Sequence, residues 1–222
     1  MMATPYTLSD NHKERLRTLA ISGAQNFKTR LSNKVFRVIC EDHTTEDVRF
    51  FSADFKHLTG LYSNLGDEEF YNNCVNGTLD KGNIETMQKY EWQTLKRKGQ
   101  DVERLYDLLS SDTEKTVLLN ELETHTYTFP VAIKNPLLNM CVAFASDAHK
   151  ARSMRKASNS LNATSTKKVL AIFAKQSYEP NFGEVVYMSD ALNVFQGHEE
   201  LLDSLNSTLQ KEYSEQLQAQ KK

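Results

Sequence analysis

At about Thr116 the spacing of apolar residues changes period, and that change limits the fold more than any other feature of the chain. Upstream, Leu16, Leu19, Ala20 and Phe27 recur at helical spacing to about Leu31, behind Ser9 or Asp10 as N-cap. Further helical periodicity runs over 84–95 and 102–109, interrupted by Lys96-Arg97-Lys98-Gly99. Downstream, 117–119, 127–133, 140–145, 169–174 and 185–188 are short runs rich in β-branched and aromatic residues. Helices first and strands afterwards, with an earlier hairpin from runs at 35–40 and 48–51, predict an α+β fold in which helices pack on a small antiparallel sheet. A terminal amphipathic helix is expected over 198–218, where Leu202, Leu205, Leu209 and Leu217 share a face. Residues 1–195 are thus expected to form one domain, with a helical insertion at about 67–110, followed by the C-terminal helix in 196–222.

The apolar fraction of 39% and the 11 Phe and 9 Tyr residues supply a core of ordinary globular kind. Net charge is −2, so the whole molecule has no bulk attraction for nucleic acid or membrane, and any such site must come from local segregation of charge. Cys40, Cys74 and Cys141 are scattered and odd in number, which points to reduced thiols and a cytoplasmic protein. The N-terminus lacks the apolar run of a signal peptide, and no segment reaches the roughly 18 apolar residues of a membrane span.

Charge segregation does occur once. From Ala148 to Tyr178 stand seven Lys or Arg residues and no Asp or Glu, in a chain with 29 acidic residues elsewhere. Such a stretch is either a phosphate-binding surface or a solvated loop between strands. No phosphate-binding loop, dinucleotide fingerprint or nucleophile elbow is present, and the six histidines form no metal-binding pair, so neither a metal nor a cofactor is expected.

Asp54 is a candidate N-cap for a short helix with Phe55, Leu58 and Tyr62 on one stripe and His57 off it. Asp67 is a candidate cap for the next helix, which Asn76-Gly77 should stop. His57 is the best general acid or base by residue type, since imidazole both takes and gives a proton near neutrality. A histidine at a helix start serves equally as a hydrogen-bonded structural residue. Gly60 removes a side chain where another backbone or a phosphate could approach.

The order of these features, above all Phe55-Lys56-His57-Leu58-Thr59-Gly60-Leu61 followed by Phe70-Tyr71-Asn72-Asn73-Cys74-Val75-Asn76-Gly77, closely resembles the fourth phage family of barnase, EndoU, colicin and RelE-like nucleases. The resemblance covers roughly 16–190. It implies an α+β fold, an origin in phage or mobile elements, and metal-independent cleavage of RNA in which the ribose 2′-OH attacks its own phosphodiester in the cytoplasm of a bacterial or phage-infected cell. It implies His57 as acid or base, Thr59 as a phosphate hydrogen-bond donor, and an electrostatic clamp drawn from Arg152, Lys156 and Lys175. Lys56, Lys150, Arg155, Ser158 and Lys168 are the expected RNA and phosphate contacts. RNA is the expected partner, with an immunity or antitoxin protein and self-association through the C-terminal helix as further expectations. A non-catalytic RNA-binding or protein-interaction module on the same fold is the alternative.

Overall fold

The computed structural model describes residues 6–85, 87–88, 90–110, 115–124, 127–158 and 161–220. Along the chain run β1 (Tyr6–Thr7), α1 (Asp10–Arg30), β2 (Lys34–Cys40), β3 (Thr45–Phe50), α2 (Phe55–Thr59), α3 (Asp67–Val75), β4 (Met87–Gln88), α4 (Trp92–Glu103) and α5 (Asp107–Ser110). The second half holds β5 (Val117–Glu123), β6 (Thr128–Asn135), β7 (Met140–Phe144), β8 (Ala151–Arg155), β9 (Ser165–Gln176), β10 (Glu184–Met188), α6 (Ala191–Phe195) and α7 (Ser207–Gln220).

Eight strands form one antiparallel sheet in the order β3-β2-β9-β5-β6-β7-β8, with β10 paired to β9; β1 and β4 make a separate pair. The long strand β9 joins the halves: its first residues pair with β5, and its remainder pairs with β2 and β10. Period-two alternation sorts the side chains between faces. On β2, Phe36, Val38 and Cys40 enter the core beneath the helices, whereas Val35 and Ile39 enter the core on the other face. That second face is covered by α6, the 3-10 segment Glu199–Ser204 and α7, through Phe195, Leu202, Leu205, Leu209, Tyr213 and Leu217. The α+β architecture, with helices on an antiparallel sheet and a helix at the C-terminus, is as the periodicity predicts.

Five local expectations are corrected. Residues 84–95 do not form one helix: Ile84 bridges Ser63, and α4 begins only at Trp92. The helix then runs through Lys96-Arg97-Lys98-Gly99, because the missing side chain of Gly99 is used for packing; a Cβ there would lie 3.0 Å from Leu19 Cβ on α1. The basic stretch contains an edge strand, β8, as well as loop. Tyr62 is 47% exposed and leaves the expected stripe, because α2 ends at Gly60 in the left-handed region, φ +71°. The terminal helix starts at Ser207, since 199–204 takes 3-10 form.

The three cysteines are buried and form no disulfide, and burial pushes each thiol up to about 12. Among the described residues no helix is long and apolar enough to cross a membrane, and no group of His, Cys, Asp and Glu is placed to hold a metal ion. His125 lies outside the described residues.

Candidate active site

Where α2 and α4 meet the edge strand β8, a cavity of about 430 Å³ opens, lined by Lys56 and His57 from α2, Asp67 from α3, Lys98 from α4, and Arg152 and Ser153 from β8. The short helix α2 is held from below by Phe55 and Leu58, both fully buried, and Phe55 meets Phe27 of α1 edge-on at 5.4 Å. Two apolar anchors in five residues leave Lys56 and His57 on the outer side, as a helical period requires.

Asp67 holds both. Its Oδ1 lies 2.6 Å from Lys56 Nζ, and its Oδ2 lies 3.4 Å from His57 Nε2. Asp67 is the first residue of α3, where the positive end of the helix favours a carboxylate; the Lys56 hydrogen bond, with the Lys56 charge, holds its pKa below the usual range. Burial, with the Arg152 charge second, pushes the His57 pKa below that of free imidazole, and the Asp67 carboxylate offsets part of this. His57 is therefore neutral at pH 7. The carboxylate beside Nε2 favours the tautomer protonated there, leaving the lone pair on Nδ1. Arg152 is exposed and forms no salt bridge among the described residues.

Sequence reasoning did not single out Lys98. It is only 5% exposed, its Nζ donates to the Met154 carbonyl of β8 at 2.9 Å, and it lies 5.1 Å from the Tyr90 ring centroid. Burial, reinforced by the charges of Arg97 and Arg155, lowers its pKa to about 8. The signal in the sequence was a lysine beside a glycine, read as a helix break. Asp67 was read as a cap; it is instead the partner of His57. Tyr62 and Tyr90 add aromatic walls to the cavity.

The other expected site residues divide by place. Thr59 is 1% exposed and outside the cavity lining; its hydroxyl donates to the Lys56 carbonyl at 2.7 Å and accepts from the Leu61 N–H at 3.2 Å, closing the turn. Lys150 pairs with Asp147 at 2.5 Å. Lys175 stands opposite Val35, on the sheet face away from the cavity, with Nζ donating to the Pro180 carbonyl and 4.9 Å from the Phe182 ring centroid. Lys168 lies on β9 opposite Val117, its backbone N–H bonded to the Glu41 carboxylate.

Arg155, Lys156 and Ser158 line a second cavity, of about 530 Å³, together with Glu123 and Asn162. The Arg155 Nε is buried there without a hydrogen-bond partner among the described residues. The two cavities thus take residues from successive parts of one segment: Arg152 and Ser153 on β8 in the first, and Arg155, at its end, with Lys156 in the second.

A family model described as phage-Barnase-EndoU-ColicinE5/D-RelE like nuclease 4 matches residues 21–182. No match was found among curated proteins or solved structures.

Proposed function

Because the chain belongs to the phage-Barnase-EndoU-ColicinE5/D-RelE like nuclease 4 family, we propose that it is a metal-independent endoribonuclease of phage or mobile-element origin acting on single-stranded RNA. The observation that carries this reading is the opening of His57, neutral and held by Asp67, into one cavity with the guanidinium of Arg152, which forms no salt bridge among the described residues.

In the proposed reaction His57 Nδ1 takes the proton of the ribose 2′-OH, and the 2′-oxygen attacks the adjacent phosphorus. Arg152 stabilises the charge that accumulates on the non-bridging oxygens. The P–O5′ bond breaks, and O5′ takes up a proton as it leaves, to give a 2′,3′-cyclic phosphate and a 5′-hydroxyl end. Lys56 is committed to Asp67 and to the Leu65 carbonyl, where Nζ donates at 2.9 Å, so its role is to fix the carboxylate that orients His57. Tyr62 and Tyr90 offer ring faces for bases splayed out of a single strand. DNA lacks the nucleophile and is bound without being cut.

Incubation of the protein with a labelled RNA in excess EDTA tests the reading. Cyclic-phosphate products that disappear in His57→Ala are expected; full cleavage by His57→Ala would overturn the assignment. Salt-sensitive RNA binding with no products would favour the non-catalytic module.

A further inference from the structure

We propose that Lys98 is the group that protonates the leaving 5′-oxygen and, before that, the buried cation that holds the phosphoryl group; this rests on the ribonuclease reading of the same cavity. A buried charge is normally paired, because removing it from water costs far more than a single neutral hydrogen bond returns. Among the described residues Lys98 has no such pair. The carboxylate three residues on, Asp101, is taken by Arg97, and among the described residues none lies within salt-bridge distance of Lys98. An ammonium carries three hydrogens, and the Met154 carbonyl accepts one. As a support for β8, a neutral amide would meet that carbonyl as well, and the Tyr90 ring, 5.1 Å away, favours a cation but supplies no counter-charge. A ligand phosphate in the cavity that Lys98 lines does.

The surroundings are shaped to this side chain. Gly60 has no Cβ where one would lie 2.8 Å from Lys98 Cδ. A pKa near 8 keeps the amine protonated at neutrality yet able to give the proton up, which is the range a general acid needs. The neutral base His57 and the protonated acid Lys98 are groups whose environments set opposite roles. As the 2′-oxygen to phosphorus bond forms and His57 takes the 2′-OH proton, the P–O5′ bond breaks and Lys98 Nζ transfers its proton to O5′. The resulting amine is reprotonated by water.

The test compares Lys98→Met and His57→Ala on two substrates: ordinary RNA, and the same RNA with sulfur as the bridging 5′ leaving atom, whose thiolate departs without a proton. Lys98→Met is expected to lose roughly 10²–10⁴-fold in kcat on ordinary RNA and to recover most of it on the sulfur substrate, while His57→Ala stays impaired on both. The alkaline limb of the wild-type pH–rate profile, near 8, should be absent in Lys98→Met. Lys98→Arg, charged but unable to release its proton, should bind like wild type and cleave as poorly as Lys98→Met. Affinity for a 2′-deoxy oligonucleotide should fall about tenfold in Lys98→Met. Wild-type cleavage that survives in Lys98→Met, or falls equally on both substrates, overturns the acid role and leaves the ribonuclease reading intact. Binding that depends on Lys98 with no wild-type cleavage overturns the ribonuclease reading, and the acid role with it.

Discussion

Gly60 and Lys98 occupy one space: a Cβ on the glycine would stand 2.8 Å from Cδ of the lysine and 3.4 Å from a ring carbon of Tyr90. The glycine also carries φ +71°, so it both ends α2 and lets the lysine stem pass along the cavity wall. Gly60→Ala is expected to destabilise the fold by about 1–2 kcal/mol through left-handed strain alone and to lower RNA cleavage by displacing Lys98. Denaturant unfolding and cleavage rates check the two effects separately. Loss of stability with activity unchanged would reduce Gly60 to a turn residue.

Asp67→Asn should leave the fold nearly intact, since the partly exposed Lys56 pair contributes at most about 1 kcal/mol. The carboxylate raises the His57 pKa against burial, so its removal lowers that pKa further. The base must be neutral to work, and the acidic limb of the pH–rate profile should accordingly move to lower pH. The plateau should drop by roughly tenfold as the imidazole loses its orienting partner. Imidazole titration by NMR gives the shift independently of turnover.

Asp54 offers a pH test of stability. It is 3% exposed, burial raises its carboxyl to about 6, and its Oδ2 accepts from the Phe51 N–H at 3.2 Å. In the unfolded chain an Asp ionises near 3.9. Between those values the folded state holds the proton more tightly, so this group's contribution declines as pH rises from about 4 to about 6 and is flat above. Asp54→Asn keeps the acceptor for Phe51 and removes the charge. Its stability relative to wild type should therefore grow across that window by on the order of 2–3 kcal/mol, as read from melts at pH 4 and pH 7.5.

The second cavity separates binding from chemistry. Arg155→Ala and Lys156→Ala should raise KM on oligonucleotides long enough to reach both cavities and leave kcat unchanged. Each lost phosphate contact lowers the slope of log affinity against log salt by about 0.7 for a single strand. Equal slopes in variant and wild type would remove Arg155 and Lys156 from the RNA path.

Much of the fold is legible in the residues because burial on one face repeats with the backbone period. Phe36 and Val38 against Val35 and Ile39 show β2 as a strand with two buried faces, and Ser9, accepting from the His12 N–H, marks the start of α1. The Asn76-Gly77 pair ends α3 as expected. The site is legible only in part. His57 and Arg152 stand out by residue type and by local charge, whereas Lys98 and Asp67 do not: one sits in a string that reads as a break, the other in one that reads as a cap. Lys175 belongs to the same acid-free stretch as Arg152, yet the pleat of β9 turns it to the opposite face.

The sequence by itself determined the class of fold, the helix-to-strand order and the family, since these rest on periodicity and on a contiguous motif. Tertiary structure alone decided which cation enters the cavity, which is spent on a neighbouring carboxylate, and which buried lysine lines the cavity without one among the described residues. Periodicity records whether a position faces inward, but ion pairing and desolvation depend on distances through space. Those distances are set only when α4 packs against β8 and brings Lys98 beside Gly60.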